Sequence, residues 1–445
     1  MAVTIALAGD TMLGRGVADA LTRRGTRPLF TPAVHRAVSD ADLFPLDLEC
    51  CVSDRGTRID RPGRTFFFRA SPRAADILAG LGVDAVSLAY NHALDHGPAA
   101  LLDARAHLAG AGIATVETGA DLAQARAPLV LEAGGLRVGL VGATDHPAEC
   151  AAGEAAPGAA YAAPWREGVP AWLTDTVRRP ARQTDLVVVS MYWGPDMTAC
   201  PVSHVRDAAS ALTDAGADLV VGYSAHVFHG FTRRVLYDLC DFIDDYAVHP
   251  ALRNDLSLLW LVTLDASGPT CTEAVPIALD HCRTSLADRA EYDWVADRLA
   301  RACAEPGTRV TDEHGRLSVD WRRTGRVRGR PGRSAPTRGR PDPARKAARA
   351  SGREGRPMRQ AGKGVDMPGI PEPRSRTPPG LLEPIEPDFP AQWSRHRWAR
   401  HPRRGAAHGG GVPPAHGPAS ATVPLRPRPL RATAAGRRGG RGRSR

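Results

Sequence analysis

Six short apolar runs in this 445-residue chain lead into side chains that can bind a metal ion or move a proton. Asp10 follows VTIALAG, and Asp47 and Glu49 follow LFPL. Asn91 and His92 follow AVSLA, with Asp95 one turn on. Tyr192 and Trp193 follow DLVVVSM, Tyr223 and His226 follow DLVV, and Asp241 comes just after VLYDL. In open α/β sheets, ligands bind beyond the carboxyl ends of the strands. Carboxylate, amide and imidazole together suit Mn, Fe or Zn. Two such ions about 4 Å apart can clamp a phosphoryl group and activate water. Each side chain also has a plainer reading. Asp10 could cap a helix starting near Thr11. Glu49 could be a surface carboxylate beside Cys50 and Cys51. Asn91 and His92 could be a satisfied turn pair, His226 a structural histidine, and Asp241 a turn residue bonded to backbone.

The elements that must position these residues are legible from periodicity. The spacing predicts strands at 3–9, 85–89, 136–144, 185–192, 218–223, 234–239 and 256–264, and helices at 72–82, 98–112 and 203–217. In the first helix Ala74, Ile77, Leu78 and Leu81 share a face, and Gly82 can close the end. Strand and helix alternate, which argues for an α/β fold with a large sheet.

Near Arg322 the pattern stops. Of the 58 Lys and Arg, 28 lie in residues 324–445, against 7 of the 48 Asp and Glu. The overall net charge of +10 therefore averages an acidic first part and a strongly basic remainder. The basic part is rich in Arg, Pro and Gly and poor in aliphatic residues. It cannot offset an ordering cost of about 1–2 kcal/mol per residue, so 324–445 is expected to be disordered. Arg-rich chain can bind nucleic acid or another polyanion. It can equally be a solvated appendage without a partner, or the product of a shifted reading frame. The eight cysteines form no CxxC pair, and a reducing compartment suits free thiols. The amino terminus reads as a first strand, and no run approaches the ~20 apolar residues of a membrane helix. The expected location is cytoplasmic.

The segments AGDTMLGR (8–15), LDLE (46–49), FFFRASP (66–72), LGVDAVSLAYNHALDHG (81–97), VVVSMYWGPDM (187–197), DAGADLVVGYSAHVFHG (214–230), VLYDLCDFIDDY (235–246) and RNDLS (253–257) occur in that order. Together, from Val3 to about Trp321, the chain resembles the CapA-type capsule or poly-γ-glutamate synthesis proteins. That family is similar in fold to the calcineurin-like metallophosphoesterases. The resemblance implies a four-layer α/β/β/α sandwich over residues 1–323, with the 324–445 tail having no counterpart. It implies that Asp10 and His226 ligate a first metal, that Glu49 bridges, and that Asn91 ligates a second. His92 would protonate a leaving oxygen. Arg253 and Asn254, with Arg15 and Arg69, would grip an anionic substrate, a γ-glutamyl or phosphoester compound.

Four positions depart from the family pattern. Asp47 stands where the family has Asn, Tyr192 and Tyr223 where it has His, and Cys240 where it has Gly. Both replaced histidines would serve the second metal. A neutral phenol of pKa ~10 is a poor ligand for a divalent cation. The resemblance therefore implies one divalent ion rather than two, in a metal-dependent hydrolase-like protein of capsule or poly-γ-glutamate metabolism. The alternative is a non-catalytic relative that binds a polyanion or a partner.

Overall fold

The computed structural model describes residues 1–23, 28–60 and 64–323. The segment 324–445, expected to be disordered and basic, lies outside the described residues, as does the domain boundary placed at its start.

Strand Ala2–Thr11 is the centre of the molecule. Val3, Ile5, Ala6, Leu7 and Ala8 are all buried, so both of its faces are covered and it reads as a continuous apolar run. It pairs antiparallel with Leu256–Asp265, Leu7 opposite Trp260. On its other edge, parallel strands Pro45–Asp47, Ala85–Ser87 and Ala114–Val116 follow in order. The short strand Asp241–Ile243 pairs parallel with its carboxyl end. These belong to a ten-stranded sheet among the described residues. A second sheet runs Val235–Leu236, Leu219–Tyr223, Leu186–Tyr192, Leu136–Thr144 and Leu129–Ala133, the first four parallel.

The two sheets pack face to face. Leu140, Val188, Leu219 and Val221 join the core cluster that contains Ile5, Leu7 and Trp260. Val187, Val189, Met191 and Val220 point the other way, onto helices Ala171–Arg178 and Ser203–Ala215. Helices Pro32–Ser39, Arg73–Leu81 and Pro98–Gly110 bury Val34, Leu78 and Leu101 in the first cluster. The result is the expected four-layer α/β/β/α sandwich. Each large aliphatic side chain so buried stabilises the fold by roughly 1.5–3 kcal/mol before cavity effects.

Most expected elements are present to within two residues at each end. Gly82 closes helix Arg73–Leu81 in the left-handed region, φ +94°, as its position implied. Three differences have physical causes. Helix Arg15–Thr22 starts behind Gly14, so Asp10 is a strand residue and caps nothing. The run 234–239 forms strand only at Val235–Leu236. Beyond it the Asp238 carboxylate accepts from the Ala225 and Cys240 backbone N–H groups at 2.9 and 2.8 Å, which turns the chain out of the ladder. Strand Gly268–Leu279, 12 residues long, was absent from the expectation because Pro269 and Pro276 interrupt its pattern. No helix among the described residues is long and apolar enough to cross a membrane.

Candidate metal centre

Register builds the site. Asp241, Asp10 and Asp47 stand on three adjacent parallel strands, each of the last two opposite its neighbour, with Ser87 next in the row. In the second sheet Thr144, Tyr192 and Tyr223 form the corresponding row. Gly9 allows the close approach on which the first row depends. A Cβ there would lie 1.6 Å from the Cys240 carbonyl oxygen, and that same oxygen accepts from the Asp10 N–H at 2.9 Å. Backbone strain concentrates around these ends. Ser224 (φ +101°), His226 (φ +54°) and Cys240 (φ +69°) all sit in the region that favours glycine.

His226 leaves the second sheet and reaches across to the first. Its Nδ1 lies 2.7 Å from Asp241 Oδ1 and 3.0 Å from Asp10 Oδ2. One ligand atom from each of these three buried residues lies within 4.8 Å of the others, a group that could hold a metal ion. Burial alone would lower the His226 pKa, but the carboxylates of Asp241 and Asp10 drive it well above the usual imidazole range. Burial pushes the Asp241 carboxyl up to about 6, against the opposing pull of His226. Asp10 Oδ1, Asp241 Oδ2 and Asn91 Oδ1 are buried without a hydrogen-bond partner among the described residues. Uncompensated buried oxygens of this kind are costly unless a cation completes them, so the donor set fits a divalent ion.

Glu49, expected to bridge, is not in that three-residue group. Its two oxygens accept from Tyr192 Oη at 3.1 Å and Tyr246 Oη at 2.9 Å. It is buried beside the group all the same. Burial raises its pKa, His226 opposes this, and Asp10 and Asp241 add to it. The two tyrosines therefore part company. Tyr192 serves Glu49, whereas burial and then the charges of Asp47 and Glu117 raise the Tyr223 phenol well above its usual range. Both phenols stay protonated. Cys240 is protonated too, and its S–H reaches the His226 carbonyl at 3.3 Å, so it holds the turn.

His92 stands 2.7 Å by Nδ1 from Asp95 Oδ2, under the ring of Phe68 with centroids 4.0 Å apart. Asp95 also accepts from Arg64 Nη1 at 2.7 Å and from the Phe68 N–H at 2.8 Å. Arg15 lies at the rim, its guanidinium 4.7 Å from the Phe66 ring and 6.0 Å from the Tyr246 ring, paired with Asp245 at 3.4 Å. The other expected substrate contacts are used elsewhere. Arg69 Nη1 reaches the Gly56 carbonyl at 3.4 Å. Arg253 grips Asp255 with two nitrogens at 2.7 and 2.8 Å. Asn254 accepts from the His249 N–H at 2.7 Å and donates to the Ala247 carbonyl at 3.2 Å, which fixes the loop between them.

Sequence reasoning missed Tyr246, Arg64, Glu117 and Asp196. The first two come from loops, and no local pattern marks them. Asp196 feels His226, His146, Asp10 and His92, with burial raising its pKa. Glu117 accepts from Ser87 Oγ at 2.7 Å, and burial lifts its carboxyl to about 8. Its folded pKa is raised, so its contribution to stability is fully present below pH 4.5 and is lost as pH climbs to about 8. Glu117→Gln keeps the shape and removes that loss. We expect the variant to be more stable than the parent by about 2–4 kcal/mol at pH 8 and nearly equal to it at pH 5, read from denaturant unfolding at both values.

A four-layer sandwich with buried carboxylates and an imidazole gathered beside its parallel strands is the architecture of an α/β protein that could hold a cation there. The chain belongs to the family described as bacterial capsule synthesis protein PGA_cap, whose pattern matches residues 4–246. A probable polyglutamine synthesis accessory protein of Mycobacterium tuberculosis is 29% identical over 357 residues, covering 69% of this chain and 93% of that protein. The PGA biosynthesis protein CapA of Bacillus subtilis is 24% identical over 247 residues, 53% of this chain and 62% of that one. Among solved structures, a novel phosphatase of Mycoplasma pneumoniae aligns with a TM-score of 0.38 and 12% identity over 66% of this chain and 97% of its own.

Proposed function

We propose that residues 1–323 form a metal-dependent hydrolase-like domain of capsule or poly-γ-glutamate metabolism, acting on an anionic γ-glutamyl or phosphoester compound. The observation that carries this reading is the meeting of Asp10 and Asp241, from two paired strands of one sheet, with His226, from the turn after a strand of the other, in one buried group. A divalent Mn, Fe or Zn ion held there would act as a Lewis acid and lower the pKa of a bound water. His92 is oriented through Nδ1 by Asp95, so its other nitrogen is the one offered to a leaving oxygen. Arg15 is the cation at the rim suited to an anionic substrate. Tyr192 and Tyr246 hold Glu49 by hydrogen bonds, which supports a site built for one ion rather than two.

The test is elemental analysis of the purified chain, with hydrolysis of bis(p-nitrophenyl) phosphate and of a γ-glutamyl anilide. One ion per chain and turnover of either compound are expected. A metal-free protein inert towards both sinks the proposal. Tyr192→His with Tyr223→His is expected to raise the ion count towards two. No second ion in a folded double variant would show that these positions do not line the second site.

A further inference from the structure

We infer that His146 is an anion-binding residue of this site, set beside Tyr192 by Asp145, where its imidazole contacts the phosphate or carboxylate of a substrate held by the Asp10, Asp241 and His226 group. This rests on the function proposed above and goes beyond it, because neither the family pattern nor the polar residues picked out at the strand ends include His146.

Position comes from the second sheet. Strand Leu136–Thr144 runs parallel to Leu186–Tyr192, and Thr144 is opposite Tyr192. His146 follows two residues later, one strand over from Tyr192. Its backbone is anchored, since its N–H donates to Thr144 Oγ1 at 3.3 Å. The Asp145 N–H donates to the Tyr192 carbonyl at 2.9 Å. The Asp145 side chain is buried, accepts from the Gly194 N–H at 3.0 Å, lies 3.7 Å from His204 Nε2 and bonds His146 Nδ1 through its other oxygen.

The His146 ring consequently sits 5.3 Å from the Tyr192 ring, whose hydroxyl is on Glu49. The following turn touches the other side of the site, with Cys150 Sγ 3.6 Å from the Asn91 carbonyl. His92 thus follows a strand of the first sheet and His146 a strand of the second. The electrostatics agree. Burial raises the Asp196 pKa, and His226, His146 and His92 together oppose that rise, so all three imidazoles lie around the same carboxylate.

An imidazole fixed at Nδ1 by a carboxylate presents Nε2 in a set direction. A single cation leaves part of an anion's charge without a partner, and a second imidazole at the Tyr192 side supplies a donor there. The resemblance assigned the Tyr192 position to metal binding. In this chain the neighbouring strand provides a hydrogen-bonding group for the same substrate.

The experiment uses the full chain loaded with Mn²⁺. Calorimetry measures the binding of inorganic phosphate and, separately, of γ-glutamylglutamate, and elemental analysis measures metal content, for the parent, His146→Ala and His146→Gln. At least one probe should bind the parent, and which one binds separates a phosphate source from a carboxylate source. In His146→Ala the metal content should be unchanged while that probe binds about tenfold more weakly. His146→Gln, which keeps a polar group near Nε2, should fall between. If His146→Ala binds metal and probe as the parent does, or if the metal-loaded parent binds neither probe, the inference is overturned and the metal site stands. If the parent takes up no metal, the function proposed above fails and the inference falls with it.

Discussion

Asp10→Asn should weaken divalent-ion binding by more than about 100-fold, or roughly 2.8 kcal/mol, while leaving the protein folded. Asp10 Oδ2 faces His226 at 3.0 Å and the Ser224 N–H at 3.2 Å, and Oδ1 has no partner among the described residues. The amide keeps the volume and removes the charge. It also removes one of several buried carboxylates that repel each other, since Asp10 raises the pKa values of Asp47, Glu49 and Asp238. The metal-free variant should therefore melt at the same temperature as the metal-free parent or above it. Metal affinity and stability moving in opposite directions is the pattern of a functional cluster held together at a cost to the fold. Calorimetric titration with Mn²⁺ and a thermal melt in chelator read both quantities. Unchanged affinity would remove Asp10 from the site.

Gly9→Ala should be the most damaging glycine-to-alanine change among the described residues. Its Cβ would lie 1.6 Å from Cys240 O and 2.6 Å from Cys240 C, and both are backbone atoms that no rotamer change can move. Strand Ala2–Thr11 would have to separate from the 239–241 segment and give up the Asp10 to Cys240 hydrogen bond of 2.9 Å. We expect a loss above about 4 kcal/mol, seen as failure to accumulate in soluble form or as a large drop in the denaturation midpoint. Gly80→Ala is the control. Gly80 lies inside helix Arg73–Leu81, and a methyl group there would meet nothing within 4 Å. Alanine at that position should stabilise the helix by about 0.5–1 kcal/mol. A Gly9→Ala protein that melts like the parent would contradict the close approach.

The sequence made the strand ends legible because β-branched runs have a clear length and each stops at a polar residue. Asp10 stands out in that way, and it does come together with Asp241, which opens a short strand, and His226, which lies in the turn beyond Tyr223. The same rule, applied to the end of 136–144, points at Asp145 and His146, which belong to no familiar motif and so escaped notice in the sequence. Tyr246 was not legible. It reaches Glu49 from 197 residues away, and a hydrogen bond of that span leaves no trace in local spacing. Arg64 is similar, buried against Asp95 from a loop without periodicity. Arg253 and Asn254 show the opposite difficulty. The resemblance implied anion binding there, yet short-range partners two to seven residues away take up their polar groups.

The two sheets meet at the Tyr192 to Glu49 hydrogen bond and at His226, which crosses to Asp10 and Asp241. Charge at the centre and cohesion between layers are therefore one variable. An ion held in this position would work as a rivet through the seam of the sandwich. Its release would loosen the halves along their shared face before either half lost its own ladder.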